Sequence, residues 1–113
     1  MTTFNEYLTI FTESIEATGT CYPDAYHYMR DHADKKLTLV HGLVSGQGHL
    51  EGIRYGHAWV LDGNKVIDPS IGRTFPKSMY YKVGEITKKE STEYTFMEMV
   101  QEVSKSGTYG PWG

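Results

Sequence analysis

Arg54-Tyr55-Gly56-His57-Ala58-Trp59-Val60-Leu61-Asp62-Gly63-Asn64-Lys65-Val66-Ile67-Asp68-Pro69 has the pattern of a β-hairpin. A run rich in aromatic and β-branched residues leads into an Asp-Gly turn signal, and a second short run of the same kind follows. With Asp62 and Gly63 as a two-residue loop, His57 is predicted to stand directly opposite Asp68. Facing residues on one side of such a pair have Cβ atoms roughly 4.5–5.5 Å apart, close enough for the carboxylate to set the tautomer and orientation of the imidazole. The register is decisive, because a loop one residue longer would send the two side chains to opposite faces.

The remaining elements arrange themselves around this hairpin. Residues 3–18 read as an amphipathic helix, with Phe4, Tyr7, Leu8, Phe11 and Ile15 on one side, a Thr3/Glu6 capping box and Gly19 at the close. Thr20-Cys21-Tyr22-Pro23-Asp24 opens a second helix, predicted to run to about residue 31 or 33, since proline and an acidic residue both suit a first helical turn. Cys21 therefore falls at a helix mouth, with Ala25, Tyr28, Met29 and His32 continuing its face. A helix N-terminus favours a thiolate and offers backbone N–H groups to an anionic oxygen.

Residues 37–44 alternate as a strand with Leu37, Leu39, His41 and Leu43 on one face, and residues 45–52 form a glycine-rich loop lacking the lysine and the following helix of a phosphate-binding loop. Residues 53–61 return antiparallel. Beyond the hairpin, residues 69–77 read as irregular, residues 79–83 as a further strand and residues 85–93 as a charged connection. Residues 95–106 read as a helix with a Thr95/Glu98 capping box and Gly107 at its stop. The tail Tyr109-Gly110-Pro111-Trp112 is expected to dock on the body. The whole is a single domain spanning residues 1–113. It is α+β, a small antiparallel sheet packed by an N-terminal helix, a helix opened by Cys21 and a C-terminal helix.

Composition bounds the function. With 39% hydrophobic and 22% charged residues the chain is globular, and a formal charge of −3 gives no basic footprint for nucleic acid. The longest apolar runs are too short for a bilayer, and the polar start lacks the pattern of a signal peptide, so no membrane association and a cytoplasmic location are expected. Cys21 is the only cysteine, which rules out an intramolecular disulfide and a multi-thiolate zinc site.

Cys21, His57 and Asp68 together have the residue types of nucleophilic catalysis: a thiol, a base and a group that orients the base. His41, on an apolar strand face without an evident facing carboxylate, is the rival base, while His27, His32 and His49 read as surface or loop residues. Tyr22, Tyr26, Tyr80 and Tyr81 read as packing at the core edge. Cys21 opening a helix, Gly56-His57-Ala58-Trp59-Val60 on a strand and Val66-Ile67-Asp68-Pro69-Ser70 on the next resemble the core of the papain-like and transglutaminase-like cysteine enzymes, over residues 21–70. The resemblance implies Cys21 as nucleophile, His57 as general base and acid, and Asp68 as orienting residue. It implies a peptide, protein or small amide substrate cleaved through a thioester, with no cofactor and no metal. Acyl transfer or deamidation would use the same triad. The glutamine or asparagine that many papain-like enzymes carry just before the cysteine is replaced here by Thr18-Gly19-Thr20. The second oxyanion or substrate-binding group is therefore sought among Gln47, Tyr22 and His41. A zinc site built from Cys21, His57 and Asp68, with His41 as an optional further ligand, and a non-catalytic binding or inhibitory module, are the readings from other classes.

Overall fold

The structure is a computed structural model and describes residues 20–46 and 52–112. The helix expected over residues 3–18, together with Gln47 and His49, lies outside the described residues. The rest is an α+β fold. Helix α1 spans Cys21–Asp31, β1 Thr38–Ser45, β2 Arg54–Asp62, β3 Lys65–Asp68, β4 Arg73–Pro76, α2 Lys77–Val83, β5 Ser91–Tyr94 and α3 Phe96–Ser106. The strands form one antiparallel sheet in the order β4-β3-β2-β1-β5.

The sheet is covered on both faces, so its central strand reads as a continuous buried run from His57 to Leu61. One face carries Val40, Val44, Trp59, Leu61 and Val66, closed by Phe75 of β4 and by Tyr80 and Val83 of α2. The other carries Leu39, Ala58 and Val60, closed by Cys21, Ala25 and Met29 of α1 and by Met99 of α3. Cys21, Ala25 and Met29 recur every four residues, the spacing that keeps one helical stripe turned to the sheet. At α3 the capping box forms as expected, with Thr95 accepting from the Glu98 N–H and Glu98 from the Thr95 N–H, and Gly107 ends the helix at φ +73°. The tail docks too: the Trp112 ring lies 4.7 Å from that of His41, and the Tyr109 ring 4.8 Å from that of Tyr26.

Four expectations need correction. The turn residues of the central hairpin are Gly63 and Asn64, with Asp62 paired to Lys65. Gly63 has φ +62°, which fits a type II′ turn with glycine in first place instead of second. The register therefore slides so that Asp68 comes level with Trp59 and diagonal to His57. Because the slide preserves the alternation, both side chains keep the same face. Residues 79–83 are helical, part of α2: the buried positions Tyr80 and Val83 are three apart, and Pro76 sits immediately before the first turn. The supposedly irregular stretch after Pro69 contains β4, an edge strand that turns Phe75 inward and tolerates Pro76 at its end. The charged connection ends in β5, which pairs with β1 at the opposite edge.

Candidate active site

Three elements converge on one point. Cys21 is the first residue of α1, and the first bond within that helix runs from the Asp24 N–H to the Thr20 carbonyl. The N–H groups of Cys21 and Tyr22 thus have no acceptor within the helix and open at its mouth. The Cys21 side chain belongs to the core beneath α1 and is 9% exposed. His57 extends from β2 on the opposite face of the sheet and hydrogen-bonds the Cys21 side chain. Since β3 pairs with β2 only over Val60–Asp62, the part of β2 bearing His57 lies past the end of that pairing, where sulfur and ring meet.

The other end of the imidazole is held by Asp68. His57 Nε2 lies 2.9 Å from Asp68 Oδ2, which leaves Nδ1 as the nitrogen that faces the sulfur. Asp68 is fully buried, a costly place for a carboxylate unless every lone pair is used. The Tyr80 hydroxyl donates to the same Oδ2 at 2.7 Å. Oδ1 accepts from the Ser70 N–H at 3.2 Å and the Ser70 hydroxyl at 2.6 Å. Trp59 stacks beside the imidazole at 6.0 Å between centroids and is tied by its indole N–H to the Tyr81 hydroxyl at 3.2 Å.

These contacts set the charge. Burial by itself would push His57 down, but the hydrogen bonds to Asp68 and Cys21 and the charges of both outweigh it and raise the imidazole to about 9. Asp68 moves the other way. Burial raises it, and the bond and charge of His57, with the Ser70 and Tyr80 hydroxyls, bring it below the ordinary carboxylate value. A cation beside a sulfur favours the thiolate over the thiol.

The other sequence candidates fall elsewhere. His41 pairs in register with Ala58, so its ring occupies the face opposite His57 and Asp68. It is enclosed by the rings of Tyr22, Tyr94 and Trp112, both nitrogens are without hydrogen-bond partners among the described residues, and burial lowers it to about 4. A base must take up a proton, and this site penalises the charged form. Tyr22, next to Cys21, lays its hydroxyl against the backbone of Gly56, where a Cβ would stand 2.5 Å from the oxygen. That position is closed to any residue but glycine unless Tyr22 moves. Burial, and then the nearby Cys21, push Tyr22 up to about 12.

Tyr80 and Ser70 are neighbours of the Asp68 carboxylate that the sequence does not single out. Ser70 carried a usable signal, because a serine two residues after an aspartate often closes a turn onto its carboxylate. Tyr80 carries none, since the local composition of residues 79–83 points to a strand and not to the helix that holds it. Tyr55 stands two residues before His57 on the same face. It is partly buried, with its hydroxyl covered and lacking a hydrogen-bond partner among the described residues, and its ring lies 6.3 Å from that of His57. Burial, followed by the charges of Asp68 and Cys21, raises its phenol.

Among the described residues no group of three or more His, Cys, Asp or Glu is arranged to hold a metal ion, and no helix is long and apolar enough to cross a membrane. The hollows beside Asn64 and Pro76 lie at the hairpin turn, with none of Cys21, His57 and Asp68 in their walls. Comparison with known proteins gave no matching family model, no matching curated protein and no matching solved structure.

Proposed function

We propose that the chain is a cysteine-dependent hydrolase of amide, peptide or isopeptide bonds, built on a papain-like or transglutaminase-like plan. The observation that supports this most is His57, gripped at Nε2 by a fully satisfied buried carboxylate and hydrogen-bonded to the sulfur of a cysteine at a helix mouth. A structural histidine does not need an anchor of that kind on one side and a thiol on the other.

In the proposed reaction the Cys21 sulfur, ionised with its proton held on His57, adds to the carbonyl carbon. The carbonyl electron pair moves to oxygen, where the Cys21 N–H donates to it. Collapse of this adduct expels the amine, which takes the proton from His57 Nδ1, and leaves a thioester on Cys21. Water, deprotonated by the now neutral His57, attacks the thioester, and the acid departs as the thiolate and imidazolium are restored. Asp68 keeps Nε2–H pointed at itself throughout, so that Nδ1 stays turned to the sulfur. An amine in place of water would give acyl transfer with the same residues.

The test is to incubate the protein with a pool of short peptides, quench in acid and measure intact mass. An acyl mass on Cys21, absent from Cys21→Ala, is the expected result. Product-free incubations with no adduct on the wild-type sulfur, across linear, isopeptide and glutamine-containing peptides, would overturn the proposal.

A further inference from the structure

The buried hydroxyl of Tyr55 has no place in the folding of the protein. Burying an O–H without an acceptor costs stability, and phenylalanine would fill the same space without that cost. Yet this hydroxyl is covered and, among the described residues, unpartnered, on a ring that lies 6.3 Å from the imidazole of His57, the group that bonds the sulfur. Its location on β2 is fixed by the same alternation that aims His57, two residues on.

Its lack of a partner also limits what it does. A phenol within bonding reach of the sulfur would be occupied by it in the resting protein. One that does not bond the sulfur, on a ring beside the imidazole that does, is placed for an oxygen borne on a carbon that has bonded to the sulfur. Such an oxygen exists only during the reaction. A donor reserved for it adds nothing to ground-state binding and acts in full on the transition state.

We infer that Tyr55 is a catalytic residue: its phenol donates to the oxygen that gains negative charge when the Cys21 sulfur adds to a carbonyl, as the side-chain partner of the Cys21 N–H. This rests on the cysteine-enzyme reading above. It fills the role left open by the residues before Cys21 and replaces His41, whose ring lies on the other face of the sheet.

The experiment compares two reagents on wild type and Tyr55→Phe. p-Nitrophenyl acetate acylates a thiolate through a tetrahedral adduct: the S–C bond forms, the carbonyl pair moves to oxygen, and nitrophenolate leaves with the electrons of the broken ester bond. Iodoacetamide alkylates the same sulfur by displacing iodide from a saturated carbon, so no oxygen gains charge. Tyr55→Phe is expected to lower the acylation rate by about 100-fold, leave the alkylation rate unchanged and leave the melting temperature equal or higher. Unchanged acylation overturns the inference and spares the proposed function. An equal fall in both rates also overturns it, by assigning Tyr55 to the thiolate. Wild-type protein that alkylates no faster than a free thiol and does not acylate would remove the enzyme reading itself, and Tyr55 with it.

Discussion

Asp68→Asn removes the charge that holds His57 protonated and keeps nearly the same shape. In the native protein His57 is raised from 6.5 to about 9, a preference for the imidazolium worth about 3 kcal/mol. Burial is the largest single influence and opposes that preference, so without the carboxylate the ring returns toward its ordinary 6.5. At pH 8 the native ratio of imidazolium to imidazole is about 10 to 1, and a full return would make it about 1 to 30. The sign for stability follows. A histidine whose folded value lies above its unfolded one stabilises the fold fully below pH 6.5, and that contribution is lost as pH rises through about 9. Native protein should therefore lose up to about 3 kcal/mol between these limits, and Asp68→Asn should lose little. NMR titration of the imidazole Cε1–H, assigned with His57→Gln, measures the ionisation, and urea unfolding at pH 6 and pH 9.5 measures its effect on stability. Native His57 titrating near 6.5, or an unchanged titration in Asp68→Asn, would refute this chain of reasoning.

Tyr80→Phe keeps the ring but withdraws one hydrogen bond from a buried carboxylate, and is expected to cost about 2 kcal/mol in urea unfolding at pH 7; unchanged stability would mean that Tyr80 does not hold Asp68. His41→Leu removes two buried nitrogens that have no partners among the described residues and should be neutral or stabilising by about 1 kcal/mol at pH 7, with Cys21 alkylation unaltered. Because folded His41 lies near 4, below its unfolded 6.5, it also destabilises the native protein as pH falls from 6.5 toward 4, and unfolding measured across that interval should show a shallower decline in the variant. Thr95→Ala breaks the capping box of α3 and should cost about 1 kcal/mol in thermal or urea unfolding.

The parts of this molecule that the sequence discloses are those governed by local period and local chemistry. The helix behind Cys21, the strands carrying His41 and His57, the capped α3 and the docked tail all follow from spacing and capping residues. The hairpin turn was misplaced because Asp-Gly and Gly-Asn both make two-residue turns. His57 and Asp68 still share a face, since the slide leaves alternation intact. Strands β4 and β5 escape a local reading because an edge strand can leave most of its side chains in solvent, as Arg73 and Thr74 of β4 and Thr92 and Glu93 of β5 do, and so looks like loop. The run Met79-Tyr80-Tyr81 has the composition of a strand, and only the three-residue spacing of its buried positions betrays the helix. What Tyr80 does for Asp68, and how a sulfur from one layer reaches an imidazole from another, depend on tertiary packing that no local pattern encodes.

The central claim is that His57 activates the Cys21 sulfur, and the rate at which iodoacetamide alkylates Cys21 at pH 7 tests it most directly. The native protein should react about tenfold or more faster than a free cysteine thiol, and His57→Ala should fall to the free-thiol rate or below. Equal rates in the two proteins, at the level of an ordinary thiol, would contradict it.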